Sequence, residues 1–245
     1  MSDYFSTQAD LYKKYRPIYP EALYEWLLSL VEYQCAAWDC GTGNGQVAHM
    51  LAHSFEQVVA TDISQAQLDQ APAHPRIDYR IGAASKVALE DNSVDLVTVA
   101  QAAHWFDIPA FNREADRVLR PGGLMAWWGY EILRITPELD ELIHTFYHDI
   151  VGKYWVPERE HIVQRYQSLD FPYRELSGVP EFSILAEWTP THLAGYLASW
   201  SATQLYIQQH GRNPVLDLMP SVLQLWPRGE RKSVEFPVFM RVGRK

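Results

Sequence analysis

The chain has 245 residues, a formal net charge of −9, 47% apolar residues and 21% charged ones. That length suits one large domain with a substantial core, and the acidic balance argues against a nucleic acid or an anionic membrane as partner, because holding a phosphate surface needs basic side chains. The two cysteines, Cys35 and Cys40, flank one expected strand and read as reduced, buried thiols of a cytoplasmic protein, while neither a signal-peptide profile nor a membrane-length apolar run is present.

In chain order, Pro20 stands at an expected first helical position, and Ala22, Leu23, Trp26, Leu27 and Leu30 form an apolar helical stripe after it. The first strand is placed at about 35–40, and its helix runs to about Ser54. The second strand spans 57–62. Ser64 is an N-cap candidate for a short helix that stops before Pro72. The third strand lies near 77–81 and the fourth at 94–100, both nearly continuous apolar or β-branched runs. Phe111, Ala115, Val118 and Leu119 share one helical face, and Pro121-Gly122-Gly123 ends that helix. A fifth strand runs from Leu124 to Gly129. This alternation predicts a doubly wound, mostly parallel sheet.

Beyond Tyr130 the rhythm changes. Thr136-Pro137 predicts a helix running to Gly152. Residues 153–178 lack a period and read as an insertion forming a lid or pocket wall. A sixth strand lies near 181–188, and Thr189-Pro190 opens a helix ending near Gly211. Asn213-Pro214 starts a further short one that Pro220 breaks or kinks. Val234 to Val242 is the seventh strand.

Between the first strand and its helix stands Asp39-Cys40-Gly41-Thr42-Gly43-Asn44-Gly45. Glycines at such a turn take positive φ and let a ligand approach bare backbone. A dinucleotide fingerprint spaces its glycines G-x-G-x-x-G; here the third glycine comes one residue early. Asp39 beside the turn is unwelcome next to a pyrophosphate and welcome next to an ammonium group. Asp62, closing the second strand, can accept from both hydroxyls of a ribose. S-adenosylmethionine has ribose hydroxyls, an ammonium and a sulfonium, and no phosphate.

These residues, with Tyr12 to Pro20, Ser93 to Phe106 and Arg117 to Gly123, resemble class I S-adenosylmethionine-dependent methyltransferases. The style is that of the small-molecule group that includes trans-aconitate methyltransferase. The resemblance covers about the first 130 residues. It implies a single domain over 1–245, a Rossmann-like seven-stranded sheet and a last strand lying antiparallel between the fifth and sixth. Residues 1–130 would form the cofactor-binding half. Residues 131–245 would form the substrate-side half, with the lid at about 153–178.

It also implies site residues. Gly41, Gly43 and Gly45 would form the cofactor turn, with Asp39 near the methionine ammonium, Asp62 on the ribose and Ile63 on the adenine face. Many members carry an acid after the third strand; this chain has Ala83 and Ser85 there, so the adenine edge would be read by the backbone of Ala84 or by Ser85. Arg16 would pair with the methionine carboxylate. Gln101 would border the sulfonium, and His104 would face the acceptor, as a general base or as an orienting group. Tyr15, Trp105, Trp128, Tyr130, Trp155 and Trp200 are candidate pocket aromatics. Arg134, Arg159 and Arg165 are candidate acid-binding groups whose positions the sequence does not fix. His144 and His148 have metal-ligand spacing, but a solvated helix face explains them, with Leu142 and Ile150 on the core side, and no metal is expected. The expected activity is methyl transfer to an O, N or C atom of a small molecule, with a carboxylic acid as one candidate acceptor. The alternatives are a protein or RNA methyltransferase and a non-catalytic cofactor sensor.

Overall fold

The computed structural model describes residues 17–245. Its strands are β1 (Ala36–Cys40), β2 (Gln57–Asp62), β3 (Ile77–Ile81), β4 (Val94–Ala100), β5 (Leu119–Tyr130), β6 (Phe182–Trp188) and β7 (Lys232–Arg244). They form one sheet in the order β3-β2-β1-β4-β5-β7-β6. The first five pair in parallel, and β7 runs antiparallel to both β5 and β6. This is the Rossmann-like sheet expected above, with the last strand between the fifth and the sixth.

The helices are α1 (Glu21–Ser29), α2 (Gln46–Leu51), α3 (Gln65–Leu68), α4 (Ile108–Val118), α5 (Pro137–Thr145), α6 (Glu160–Val163), α7 (Pro190–Ala198), α8 (Ser201–His210) and α9 (Val215–Leu225). Alternation along the strands sends Ala37, Leu96 and Ala126 to the face covered by α1, α2, α5, α7 and α9. Trp38, Val97 and Trp127 go to the other face, under α4 and the 162–169 segment. A parallel strand covered on both sides must be apolar throughout, and β4 is buried from Val94 to Val99. Capping follows the sequence signals: Ala110 N–H donates to Asp107 Oδ1 at 3.1 Å ahead of α4, and Thr136 and Thr189 accept in the same way ahead of α5 and α7.

Several sequence expectations are corrected. The helix after Thr136 does not run regularly to Gly152; it widens into a π-helical turn over Phe146–Ile150, which swings Phe146 and Tyr147 inward together while Ile150 is 42% exposed and Leu142 only partly buried. The helix from Pro190 is two helices, broken at Ser199-Trp200, where Trp200 takes extended backbone. Pro220 does not break α9. Pro220 and Leu216, the residue whose carbonyl loses its helical donor, are both exposed, so the loss falls on the solvent side of the helix. Strand β5 begins at Leu119, because Pro121-Gly122-Gly123 forms an irregularity within it rather than a separate stop. Cys35 is exposed at the amino edge of the sheet, whereas Cys40 is buried; both thiols are free.

The connection order determines where a ligand can go. The chain steps from β1 outward through β2 to β3, then crosses back to β4 on the other side of β1. The carboxyl ends of β1 and β4 therefore flank a switch-point crevice. Both the glycine turn and the 101–106 segment open there.

Arg241 on β7 secures the segment ahead of β6. It is 7% exposed, donates through Nη1 to the carbonyls of Tyr166 (2.6 Å) and Leu169 (2.8 Å), and through Nη2 to Glu175 at 2.6 Å. Removing one member of such a set leaves the others without partners in a dry environment. Arg241→Met is expected to lower stability by about 2–3 kcal/mol and to speed proteolysis within residues 160–176. A chemical denaturation midpoint and a cleavage pattern identical to wild type would contradict this assignment.

Candidate functional site

The glycine turn is fastened at several points. Gly41, Gly43 and Gly45 have φ of +69°, +55° and +79°, a region costly for any residue with a Cβ. Gly41 and Thr42 N–H both donate to the Thr61 carbonyl, at 2.8 and 3.0 Å. Gly43 N–H donates to Asp62 Oδ2 at 2.8 Å, and Ser64 N–H donates to Asp62 Oδ1 at 2.9 Å. A Cβ on Gly41 would stand 2.6 Å from the Ala102 Cβ, and one on Gly45 would strike the Tyr79 hydroxyl. At Gly43 the nearest atom to such a Cβ is 3.9 Å away. The turn is thus tight on two sides and open at its middle glycine.

Asp39 lies beneath the turn, 1% exposed. Thr42 Oγ1 donates to its Oδ2 at 2.6 Å, and Thr98 Oγ1 donates to its Oδ1 at 2.7 Å. Burial pushes its carboxyl up to about 6, against the opposing pull of these two hydrogen bonds. Burial, reinforced by the Asp39 charge, also pushes the Tyr79 phenol up to about 12 and raises that of Tyr24. The hydroxyls of Tyr24 and Tyr79 are buried and, among the described residues, have no hydrogen-bond partner. Asp39 thus has a polar neighbourhood beyond its two threonines.

Across the turn, Asp62 stands beside two exposed apolar side chains, Ile63 (56%) and Ile81 (59%), the latter its register partner on β3. Ala84 is half-buried and Ser85 exposed in the following 82–86 turn. Gln46, the first residue of α2, accepts from Tyr19 N–H at 3.4 Å and donates to the Pro17 carbonyl at 3.3 Å, tying the chain ahead of α1 to this end of the sheet. Tyr12, Tyr15 and Arg16 lie outside the described residues.

On the β4 side, Gln101 has φ +54°, a strained value for a residue with a side chain. Its Oε1 accepts from Tyr130 N–H at 2.9 Å. It fits because Gly129 has no side chain: a Cβ there would lie 2.5 Å from that oxygen. His104 is 8% exposed, and its Nδ1 shares a 3.1 Å hydrogen bond with the Tyr166 hydroxyl. Burial, with the nearby charge of Arg159 and then His161, pushes its imidazole down to about 3. His104 is therefore neutral at physiological pH, and too weak a base to draw a proton from an unactivated hydroxyl. Trp105 is half-buried against the His104 ring, 4.8 Å between centroids.

The remaining aromatics divide. Trp128 and Tyr130 are buried on the face packed by α1, Trp128 edge-on to Tyr19 and Tyr24. Trp155 and Trp200 meet Tyr147 in a cluster with centroids 4.9–5.7 Å apart, so a residue that sequence reasoning passed over is the hub. His144 and His148 stack on an exposed face, and among the described residues no group of three His, Cys, Asp or Glu is placed to hold a metal. A shallow depression of about 570 Å³ lined by Cys35, Arg76, Asp78 and Arg120 lies at the amino ends of the strands, remote from this chemistry.

Residues 38–127 match a family model described as a methyltransferase domain. A Dictyostelium discoideum chain provisionally named a methyltransferase is 32% identical over 99% of this chain and 95% of its own length. A solved Anaeromyxobacter dehalogenans structure, provisionally described as a type II methyltransferase, superposes with a TM-score of 0.87 at 37% identity, covering 94% of this chain and 97% of that one. The Haemonchus contortus phosphoethanolamine N-methyltransferase 2, solved in complex with S-adenosyl-L-methionine, shares the fold at a TM-score of 0.50 and 18% identity. That match covers 100% of this chain and 58% of that one.

Asp39 makes a checkable statement about stability. Its folded-state value lies above the ordinary 3.8, so between about pH 4 and 6 the folded protein binds more protons than the unfolded chain. The carboxyl's contribution therefore falls as pH rises through that window, and its full cost, on the order of 3 kcal/mol, is reached above it. Asp39→Asn, which can still bond both threonines, removes this cost. Its stability advantage over wild type is expected to grow from pH 4 to 6 and then level off. An advantage that is flat, or that shrinks with pH, in urea titrations would contradict the assignment.

Proposed function

This chain belongs to the class I S-adenosylmethionine-dependent methyltransferases, and on that premise we propose that it methylates an O, N or C atom of a small molecule. The small-molecule reading is supported by one observation: the 103–105 segment beyond β4 is covered by the later chain. The 157–159 turn packs on 103–105, and the Tyr166 hydroxyl hydrogen-bonds His104 Nδ1. A protein or RNA acceptor needs an open approach with charge to match, and the net charge of −9 opposes RNA.

The residues present fit the cofactor. Asp62, fixed by two backbone amides at the end of β2, is placed to accept from a ribose diol, and Ile63 and Ile81 offer an apolar face to a purine. The adenine edge falls to Ala84 N–H and Ser85. The open cradle at Gly43 suits close backbone approach, while two carboxylates flanking the turn suit an ammonium and repel a diphosphate. Asp39 would hold the ammonium and Gln101 would border the sulfonium; Arg16 would take the carboxylate. When bound, S-adenosylmethionine supplies an activated methyl group on a positively charged sulfur.

The chain's own contribution is to position and to exclude water. His104 contacts the acceptor as a neutral imidazole, fixed by Tyr166, and orients it. A carboxylic-acid acceptor, as in the trans-aconitate enzyme's group, is already ionised at neutral pH and needs no base, which accords with so weak a histidine. In this reading residues 131–245 are the substrate-side half and 153–178 the wall over the acceptor, with Trp105, Trp128, Tyr130, Trp155 and Trp200 shaping the chamber; Tyr15, which the resemblance assigns to it, lies outside the described residues. The free thiols Cys35 and Cys40 suit a cytoplasmic setting, and among the described residues no helix is long and apolar enough to cross a membrane.

Calorimetry tests the cofactor assignment. S-adenosylmethionine is expected to bind and NADH not to bind. Affinity is expected to rise about three- to tenfold from pH 5.5 to 7.5, because ionised Asp39 attracts the ammonium and its carboxyl titrates near 6. Asp62→Ala is expected to weaken binding about tenfold or more. NADH binding, or affinity that falls with pH, would sink the reading. Binding without turnover across a broad panel of acids, phenols and amines would favour a sensor.

A further inference from the structure

Three arginines are candidates to meet an acidic acceptor, and the structure separates them. Arg134 and Arg165 share the single carboxylate of Glu131, so each already has a carboxylate partner. Arg159 is different. Its guanidinium lies over the Trp155 ring, 4.2 Å from the centroid, and beside the Tyr147 ring at 5.3 Å. Its Nε donates to the Tyr147 hydroxyl at 2.9 Å. Among the described residues its two Nη groups have neither an acceptor nor a carboxylate partner. Only one of the five N–H donors of this half-buried fork is therefore committed.

Its placement is as informative as its lack of partners. Arg159 ends the turn that packs on 103–105, and its charge reaches the His104 imidazole. Tyr147, which fixes the guanidinium plane, comes from the π-helical turn after α5. Such turns recur at functional sites because they re-aim side chains that a regular helix would direct elsewhere. Two aromatic faces and one hydroxyl thus bracket a flat cation and, among the described residues, leave its Nη edge unpaired on the turn that packs on 103–105. A guanidinium so held is preorganised for a planar, two-oxygen anion.

We propose that Arg159 is the acceptor anchor of this methyltransferase, and that the acceptor is a small carboxylic acid whose carboxylate is held by the Arg159 fork beside His104. This rests on the small-molecule reading above and deepens it from any acceptor to one carrying a carboxylate. Arg159 is a specificity-determining residue: it sets which molecule enters, and the reacting bond lies elsewhere.

The experiment uses the whole protein loaded with S-adenosylhomocysteine. It is titrated calorimetrically with fumarate, cinnamate and 3-phenylpropanoate, and with the corresponding neutral amides. Wild type is expected to bind at least one acid about 10- to 100-fold more tightly than its amide. Arg159→Ala is expected to abolish that preference while leaving S-adenosylhomocysteine affinity within about twofold. Arg159→Lys, which keeps the charge but loses the fork, should retain part of the preference and guards against a folding defect. Arg134→Ala should retain all of it. For any acid that is turned over, Arg159→Ala should raise KM with little change in kcat. The proposal is overturned if no acid outbinds its amide, or if the preference survives in Arg159→Ala. If S-adenosylhomocysteine itself does not bind wild type, the cofactor reading falls, and this proposal with it.

Discussion

A carboxylate that accepts two backbone amides is the joint on which the site depends. Asp62, at the end of β2, receives Gly43 N–H and Ser64 N–H, one on each oxygen. A charged acceptor makes these bonds stronger than neutral ones, and they lock the turn after β1 to the strand beside it. The glycines must then take positive φ, Asp39 is buried beneath them, and the middle glycine is left bare. Were Asp62 neutral, the turn would lose its outer attachment and the exposed isoleucines would flank no fixed polar group.

Opposite this joint, the second wall of the crevice is built from strain and cover. Gln101 sits in left-handed backbone because Gly129 vacates room for its side chain and Tyr130 N–H holds it. His104 is kept neutral because it is buried and lies near the Arg159 cation. The cover over His104 has one source. The segment between α5 and β6 is tied down by Arg241 and lays its 157–159 turn on 103–105. Burial there lowers the basicity of a histidine while the same segment carries the Arg159 edge, and in the proposed reading this combination suits an acceptor that arrives already ionised.

The first half of the chain was legible in the sequence because local rules and tertiary packing agree there. β4 is apolar throughout because it is covered on both sides, and the glycine spacing reports a turn that only glycine can make. Thr98, the hydroxyl within that apolar strand, was a readable sign that something polar lay beside it, and Gly129 within β5 signalled a close approach. The second half was less legible. Tyr147 turns inward through a π-helical turn that no residue pattern announces. The break at Ser199-Trp200 carries neither glycine nor proline, and Pro220 is tolerated because it and Leu216, whose carbonyl it leaves without a helical donor, are both exposed. Arg134, Arg159 and Arg165 look alike in the sequence; the position of Glu131 tells them apart, and that position is a product of the fold.

A crystal structure of the protein with S-adenosylhomocysteine tests the central claim most directly. Both ribose hydroxyls are expected within hydrogen-bond distance of the Asp62 carboxylate, the purine on Ile63, and the amino-acid portion between Gly41 and Gln101. A nucleoside bound away from Gly43, or a ribose that does not touch Asp62, would contradict it.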